Sequence, residues 1–463
     1  MKLPLDAALA ATAARVRNAG ALPAAAAVTT DTRALAPGDL FLALRGERFD
    51  GHAFVRDALA AGAAGVIVSD PESLPPDAPA LIVEDTLAAY QTLGGLAREL
   101  LPSRVVAITG SAGKTTTKEL TAQLLAATGM GPVAATAANE NNEIGVPKLF
   151  LGARGDERTV VAEMGARKFG DIAPLVAIAR PDVALVTNIG EAHLEIMGSR
   201  ERLAETKFGI FASGALPVLN LDDEVSCERA GTLGREPVWF AARPAGGDVA
   251  HVSGTARALV VSGRDELVLH ELGRSRRIPI TCTLPGEHNL VNLAGALAAA
   301  WVLGADPLAL AAAIPSLALP AGRYERRRVG EFALIYDAYN ASPAGVVATL
   351  TSFAAEPATR KIVVLGSMAE LGPEAPQMHR RVGAAVAALD VGALLVGGDF
   401  AEDLAAGARA AGVPPERITE FADNAAALEW LRANVRAGDL LLLKASRRYR
   451  LEEILSGLEA AHV

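Results

Sequence analysis

A glycine-rich segment, Thr109-Gly-Ser-Ala-Gly-Lys-Thr-Thr116, has the residue types of a phosphate-binding loop. Its glycines let backbone N–H groups approach phosphate oxygens, while Lys114 supplies charge and the Thr115 hydroxyl can reach Mg²⁺. The first glycine of the general template falls on Ile108, so a simple glycine-rich turn is the alternative. A buried strand before the segment and a helix over 118–127 after it favour a nucleotide site. The predicted cofactor-binding residues here are Thr109, Gly110, Ser111, Ala112, Gly113, Lys114, Thr115 and Thr116.

A second side chain that could bind the metal ion is expected where another parallel strand ends, because ligands bind at the carboxyl ends of such strands. Glu163 ends the apolar run Thr159-Val-Val-Ala-Glu163, and His193 follows the run Val183 to Thr187. Mg²⁺ prefers hard oxygen ligands such as the Glu163 carboxylate. The His193 imidazole is a softer ligand, which a second Mg²⁺ or Mn²⁺ ion would tolerate. A purely structural role is the alternative for His193.

The elements that must position these residues alternate between buried strands and helices. Continuous apolar runs predict strands that are covered on both faces, and helical stretches separate several of them. This alternation predicts an α/β fold with mostly parallel sheets. The predicted strands are 104–109, 159–163, 183–187, 217–220, 361–365, 393–396 and 439–443.

The chain divides into three predicted domains. Residues 1–84 form a small α/β domain. Residues 85–315 form the central domain, whose leading helix spans 85–102 and begins at an Asp85 N-cap. Residues 316–463 form the C-terminal domain, which starts at a hinge over 316–322.

Composition excludes several classes of protein. Only two of the 463 residues are cysteines, which excludes a disulfide scaffold and favours a reducing, cytoplasmic setting. A net charge of −9 argues against a nucleic-acid-coating surface, although basic clusters at 326–328 and 447–448 would suit either solvent or a polyanionic substrate. No apolar stretch is long enough to predict a membrane span. We expect a monomer.

Several motifs, in order along the whole chain, resemble those of the Mur ligase family. The phosphate loop looks like the family's Thr-Gly-x-x-Gly-Lys-Thr, and two segments are similar to those of the member that adds D-alanyl-D-alanine. Local departures occur at Thr187-Asn-Ile-Gly-Glu191 and at Lys444-Ala-Ser-Arg447. The resembling segments are 30–33, 37–41, 49–52, 139–145, 163–166, 192–195, 207–211, 286–292, 322–323, 337–340 and 368–372.

The resemblance implies a three-domain ligase: a UDP-binding N-terminal domain, a central P-loop ATPase domain and a Rossmann-like C-terminal domain. It implies that ATP and one or two Mg²⁺ ions, or Mn²⁺, activate the carboxylate of a UDP-N-acetylmuramoyl tripeptide. D-alanyl-D-alanine would then attack the acyl phosphate. The third residue of the tripeptide stays open between diaminopimelate and lysine.

The resemblance also implies residue roles. The catalytic set would be Lys114, Glu163, His193, Lys207 and Arg323, with Thr115, Glu163, His193 and a Lys207 carbamate near metal. Asn289, Asn292, Arg323 and Asp337 would bind nucleotide. The substrate set would be Thr30, Arg33, His52, Asn139, Asn141, Asn142, Tyr339, Asn340, Lys444, Ser446 and Arg447.

Lys207 has a competing interpretation as an exposed lysine on an amphipathic helix over 202–211. Carbamate formation needs a neutral amine, so the site would have to lower the lysine pKa by burial or by neighbouring cations.

Three other functions remain open at this point. A sister ligase that adds a single amino acid shares most of these motifs. A P-loop NTPase switch would hydrolyse nucleotide slowly without an acceptor. A non-catalytic UDP-sugar-binding protein would leave Lys114, Glu163 and Lys207 unexplained.

Overall fold

The computed structural model describes residues 1–46, 49–190, 197–246 and 255–460, which form three large β-sheets and one two-stranded sheet with helices packed on their faces. The predicted α/β class with mostly parallel sheets is confirmed. Among these residues, no helix is long and apolar enough to span a bilayer.

The first sheet has five strands in the order β2-β7-β6-β5-β4, of which only β2 runs antiparallel to its neighbour. A two-stranded sheet pairs β1 with β3. The strands are β1 Leu3–Pro4, β2 Arg15–Arg17, β3 Ala25–Ala26, β4 Val28–Thr29, β5 Leu40–Leu42, β6 Gly65–Val68 and β7 Ala80–Ile82; the helices are α1 Leu5–Thr12, α2 Val55–Ala60 and α3 Thr86–Leu100.

Helix α3 joins the first sheet to the central one. The Asp85 carboxylate accepts the N–H groups of Leu87 and Ala88 at 2.7 and 3.0 Å, which confirms the predicted N-cap. Tyr90 and Leu93 of α3 lie in one apolar core with residues of both domains.

The central sheet has nine strands in the order β16-β15-β14-β13-β12-β11-β8-β10-β9. Its strands are β8 Arg104–Thr109, β9 Val133–Ala135, β10 Thr159–Glu163, β11 Val183–Val186, β12 Leu216–Asn220, β13 Val238–Arg243, β14 Arg257–Ser262, β15 Glu266–Glu271 and β16 Arg274–Pro279. Its helices are α4 Lys114–Ala127, α5 Gly145–Leu151, α6 Ile172–Ala179, α7 Arg200–Phe208, α8 Glu224–Ala230, α9 His288–Leu303 and α10 Pro307–Ala313.

Strands β8 to β14 of this sheet run parallel, and β8 pairs with both β10 and β11. The carboxyl ends of these three strands therefore meet at one edge. Alternate residues of β8 face opposite cores, Val105 on one side and Val106 on the other. The antiparallel extension over β14–β16 was not predicted.

Helix α4 begins at Lys114, four residues before the predicted start at 118. Lys114, Thr115 and Thr116 were predicted as part of the phosphate-binding loop and not of the helix. Thr115 and Thr116 lie in the first turn of α4 instead, where the backbone N–H groups have no partner within the helix and are available to a phosphate.

The C-terminal sheet has six strands in the order β17-β18-β22-β19-β20-β21, with only β17 antiparallel. Its strands are β17 Glu325–Val329, β18 Phe332–Tyr336, β19 Arg360–Gly366, β20 Ala393–Gly397, β21 Ile418–Phe421 and β22 Asp439–Lys444. Its helices are α11 Pro343–Ala354, α12 Ala375–Ala385, α13 Ala401–Ala410, α14 Asn424–Asn434 and α15 Glu452–Ala460. The strands of the three large sheets span 15–82, 104–279 and 325–444, while the domain limits 84 and 315 stay predictions.

Candidate active site

The phosphate-binding loop lies between the carboxyl end of β8 and the start of α4. Gly110 and Gly113 have φ values of 146° and 81°, which residues with side chains rarely adopt. A Cβ atom on Gly110 would lie 1.8 Å from the Thr187 hydroxyl oxygen, and one on Gly113 would lie 2.3 Å from Asn292 Oδ1. Backbone conformation and packing therefore both require these glycines.

Residues that follow β11 hold the loop in shape. The N–H groups of Ser111 and Ala112 donate to the Asn188 carbonyl and side-chain oxygen at 2.9 and 3.0 Å. The Thr187 hydroxyl donates to the Ala112 carbonyl at 2.6 Å, and the Gly190 N–H donates to the Ser111 hydroxyl at 2.8 Å. Thr187 and Asn188 were not predicted as site residues, because these bonds join segments that are distant in sequence.

Two lysine amines meet at the Gly110 carbonyl, with Lys114 Nζ at 2.9 Å and Lys207 Nζ at 3.0 Å. Burial lowers the Lys114 pKa; the Glu163 charge opposes this shift and the Arg323 charge adds to it. Burial, and then the Lys114 charge, lowers the Lys207 pKa well below its ordinary value. Lys207 is 1% exposed, so its interpretation as an exposed helix lysine is wrong.

Glu163 is buried and has one oxygen without a hydrogen-bond partner. Asn141 Nδ2 donates to Glu163 Oε1 at 2.7 Å, while the Glu163 N–H donates to the Thr136 hydroxyl at 3.0 Å. Glu163 Oε2 has no partner within the described residues, and a bare buried carboxylate oxygen is unfavourable unless a cation neutralises it. That oxygen and the Thr115 hydroxyl are hard ligands, so they fit Mg²⁺. His193 lies outside the described residues.

The described ranges contain no cluster of three or more His, Cys, Asp or Glu side chains that could hold a metal alone. An ion at Glu163 and Thr115 would therefore need phosphate oxygens and water, as is usual for Mg²⁺ bound with a nucleotide.

Arg323 reaches this cluster from the C-terminal domain. Its Nη2 donates to the Thr115 hydroxyl at 3.4 Å, and its guanidinium carbon lies 4.3 Å from the Tyr339 ring centroid. Its Nε is buried and has no partner among the described residues. The guanidinium thus retains a donor for an anion beside the phosphate loop.

Asp337 and Lys444 form a buried ion pair at the ends of β18 and β22, with Nζ 2.8 Å from Asp337 Oδ2. Burial raises the pKa of Asp337, but the Lys444 charge and hydrogen bonds from Lys444 and Thr349 outweigh it and leave the pKa lowered. The Tyr324 N–H also donates to Asp337 Oδ1 at 3.2 Å. Both side chains thus hold the loop that follows β18 in place. Direct contacts of Asp337 or Lys444 with a ligand stay predictions.

Asn289 and Asn292 lie in the first turns of α9. Asn292 Nδ2 donates to Asn289 Oδ1 at 3.0 Å, and Asn289 Nδ2 donates to the Pro285 carbonyl at 2.8 Å. Burial lowers the pKa of the neighbouring His288 to about 4, and its Nδ1 lies 3.0 Å from the Ser352 hydroxyl of the C-terminal domain. The segment 286–292 therefore contacts the C-terminal domain.

The segment 139–145 supports Glu163 from one side. The Gly165 N–H donates to the Asn141 carbonyl at 2.7 Å, and Asn142 Oδ1 accepts the N–H of Gly145 at the start of α5 at 3.0 Å. Asn139 contributes its carbonyl to the same turn, through a 2.8 Å bond from the Asn141 N–H.

In the first domain, His52 is buried and both of its ring nitrogens are engaged. Nδ1 lies 2.6 Å from Asp50 Oδ1, and Nε2 accepts the Ser69 N–H at 3.0 Å. Arg33 pairs with Asp31 at 2.8 Å on the surface. Burial raises the pKa of Tyr90 of α3, and an interaction with the Thr30 side chain opposes that shift.

The remaining predicted substrate residues lie at the carboxyl edge of the C-terminal sheet. Ser446 Oγ accepts the Ala369 N–H at 2.9 Å, and the Asn340 side chain accepts the Ala341 N–H at 2.9 Å. Arg447 is exposed, 3.5 Å from Glu452. The structure thus brings together Lys114, Thr115, Glu163, Lys207 and Arg323, with Tyr339 beneath Arg323.

Comparison with known proteins gives matches along most of the chain. Residues 25–94 match the family model described as Mur ligase family, catalytic domain; residues 108–300 match the Mur ligase middle domain; residues 322–447 match the Mur ligase, glutamate ligase domain.

Full-length relatives and solved structures agree with these matches. The UDP-N-acetylmuramoyl-tripeptide–D-alanyl-D-alanine ligases of Synechocystis sp. and Escherichia coli are 37% and 36% identical; each alignment covers 94% of this chain, with 92% and 93% of the relatives. MurF from Acinetobacter baumannii has a TM-score of 0.85 at 26% identity, covering 99% of both chains. MurF from Thermotoga maritima in complex with ADP has a TM-score of 0.77 at 29% identity, covering 94% of this chain and 97% of that one.

Proposed function

The chain belongs to the Mur ligase family, and we propose that it is an ATP-dependent ligase that joins D-alanyl-D-alanine to UDP-N-acetylmuramoyl tripeptide. The products are the UDP-muramoyl pentapeptide of peptidoglycan synthesis, ADP and phosphate. The observation that carries the proposal is the similarity over 94% of the chain to two ligases named for this reaction.

In the first step, a terminal carboxylate oxygen of the tripeptide attacks the γ-phosphorus of ATP, and the bond to the β-phosphate oxygen breaks. An acyl phosphate and ADP result. Such a transfer depends mainly on positioning and charge neutralisation. Lys114 and Arg323 supply positive charge at the loop, which is supported by their convergence on Gly110 and Thr115. A Mg²⁺ ion held by Thr115 and Glu163 would neutralise phosphate charge.

In the second step, the α-amine of the dipeptide attacks the acyl carbon through a tetrahedral intermediate, and phosphate leaves. An α-amine has a pKa of about 7.7–8.0, so roughly a tenth of it is already neutral at pH 7. No strong general base is required. Arg323 retains its buried Nε as a donor to the anionic oxygens.

The proposal extends to residues around this centre. The nucleoside of ATP is bound by Asn289, Asn292 and Asp337. The UDP moiety of the tripeptide substrate is bound by Thr30, Arg33 and His52. The two engaged ring nitrogens of His52 support an indirect role, in which it fixes the loops that contact the ligand.

Lys207 would carry a carbamate and, together with His193, would hold a second metal ion. A neutral amine reacts with CO₂, and the lowered pKa of Lys207 supports this.

The other proposed substrate-binding residues contact the peptide of the UDP substrate and the incoming dipeptide. They are Asn139, Asn141, Asn142, Tyr339, Asn340, Lys444, Ser446 and Arg447. The enzyme is cytoplasmic, which the pair of free cysteines supports.

Phosphate release should be measured with UDP-muramoyl tripeptide and a panel of acceptors. We expect turnover only when tripeptide and D-alanyl-D-alanine are both present. Equal rates with single amino acids would favour a sister ligase. Phosphate release without any acceptor would favour an NTPase switch.

A further inference from the structure

A short basic loop adjoins the candidate catalytic cluster, and its residues have no role in the proposed ligase reaction described above. It comprises Arg167, Lys168, Phe169 and Gly170, all exposed, and it follows β10 only four residues after Glu163. We propose that this basic loop binds a carboxylate on the side chain of the tripeptide's third residue, and that the enzyme therefore prefers diaminopimelate to lysine there. The proposal rests on the proposed function.

Hydrogen bonds on both sides fix the basic loop beside the reacting groups. At its start, the Gly165 N–H donates to the carbonyl of Asn141, whose side chain holds Glu163. At its end, the Gly170 N–H donates at 3.4 Å to the hydroxyl of Thr206, the residue before Lys207. The loop thus spans the distance between two members of the cluster.

The backbone of the loop is itself ordered by an acid. Asp171 Oδ2 accepts the N–H groups of Arg167 and Lys168 at 2.9 and 2.7 Å. This carboxylate is therefore committed to the main chain.

The two cations of the loop have no acidic partner among the described residues. No ion pair joins the side chain of Arg167 or Lys168 to an acid in the part of the chain that the structure describes. A third cation, Arg202, lies with its guanidinium carbon 4.7 Å from the Phe169 ring centroid. Positive charge is thus concentrated here in a chain whose net charge is −9.

These cations do not serve the adjacent helix. They precede α6, which begins at Ile172, and positive charge beside a helix N-terminus is disfavoured by the helix dipole. A bound anion would interact favourably with both the cations and the dipole.

Distance connects the loop to the third residue of the tripeptide. That residue carries the reacting carboxylate, so its side chain starts at the catalytic cluster. Four residues of chain from Glu163 to Arg167 span at most about 14 Å. A diaminopimelate side chain ends in a carbon that bears both a carboxylate and an ammonium group, whereas a lysine side chain ends in an ammonium group alone. The basic loop attracts the carboxylate of the first, whereas it only repels the ammonium group of the second.

The test is the ratio of kcat/KM for tripeptides that end in meso-diaminopimelate and in L-lysine, with D-alanyl-D-alanine and ATP saturating. We expect the wild type to favour diaminopimelate about tenfold, the size that two exposed charge contacts give. Arg167→Gln with Lys168→Gln should bring the ratio close to one, and Arg167→Glu with Lys168→Glu should invert it. The change should lie in the KM of the tripeptide, and added salt should reduce the wild-type ratio.

Arg276→Gln is a matched control, because Arg276 is an exposed cation on the distant strand β16. A wild-type ratio near one would overturn the proposal, as would a ratio that the double variants leave unchanged. Equal losses for both tripeptides would overturn it too, since they would assign the loop to a group that both substrates share. Failure of the proposed function is distinct: D-alanyl-D-alanine would not be the acceptor, and the ratio could still be measured with whichever acceptor reacts.

Discussion

At the scale of single residues, the Gly110 carbonyl brings two amines together. Like charges in one buried place favour the loss of a proton from one of them. Lys207 is the more affected, since its pKa is lowered both by burial and by the Lys114 charge, and no acid of the described residues opposes the shift. Lys114 has Glu163 as a counter-charge and is the one expected to stay protonated.

Lys207→Arg should therefore be nearly inactive, because arginine stays charged and cannot form a carbamate. Removal of bicarbonate should slow the wild type. The slowing of the wild type at low bicarbonate should become larger as pH falls, because the Lys207 amine is protonated below its lowered pKa and no longer reacts with CO₂. Steady-state rates with and without bicarbonate, over a pH series, check this. Wild-type turnover by Lys207→Arg would remove the carbamate from the mechanism.

Lys114→Ala and Glu163→Ala should each lower kcat by about 10²–10³, the usual effect of losing one charged contact at a phosphoryl-transfer centre. Circular dichroism should show an intact fold in both variants. Lys2→Ala, at an exposed position, serves as the control. Near-normal kcat in either variant would exclude that residue from the catalytic set.

At the scale of elements, the loop after β19 depends on a buried histidine of α12. His379 Nε2 accepts the Met368 N–H at 2.8 Å, and its Nδ1 donates to the Ala375 carbonyl at 2.6 Å. Its ring stacks on Phe400 with centroids 4.5 Å apart. A histidine tautomer with the proton on Nδ1 satisfies both bonds.

His379→Phe should keep the stacking and leave the Met368 N–H without an acceptor. Loss of a buried hydrogen bond of this kind costs about 1–3 kcal/mol, so amide exchange in the peptide 366–372 should speed up about tenfold or more. Hydrogen exchange with mass spectrometry measures it. His379→Gln, whose amide oxygen can accept the bond, should show a smaller change; identical exchange in both variants would contradict the assigned bond.

The sequence was most informative where a structure depends on local pattern. Strands 104–109 and 159–163 were predicted with their observed ends, because a run of buried apolar residues is bounded by polar ones. The glycines and lysine of the phosphate loop were found from their spacing together with the strand before them and the helix after them. Strand β16 was missed, since its Arg274-Ser-Arg-Arg277 sequence lies at an exposed sheet edge and lacks an apolar face.

Site residues that depend on tertiary pairing could not be predicted. Thr187 and Asn188 shape the phosphate loop, and Thr349 holds Asp337, only because the fold brings distant segments together. The burial of Lys207 follows from packing in the same way: its helix sequence alone was compatible with an exposed side chain.

At the scale of the whole molecule, the central and C-terminal domains touch at several points around the site. Gln123 of α4 exchanges two hydrogen bonds of 2.9 Å with Ala318 in the hinge. The Ser352 hydroxyl accepts the Glu287 N–H at 3.1 Å. Arg323 reaches across to Thr115. A ligand that binds at the phosphate loop therefore contacts both domains.

Arg323 and Thr115 join the two domains at the phosphate loop through one long hydrogen bond of 3.4 Å. Hinge motion at 316–322 would allow more open arrangements, and substrates that contact both domains would favour the closed one. Small-angle scattering should show a smaller radius of gyration with an ATP analogue and UDP-muramoyl tripeptide together. Lys114→Ala, which weakens nucleotide binding, should show less compaction. A scattering curve of the wild type that stays unchanged on addition of both ligands would contradict domain closure.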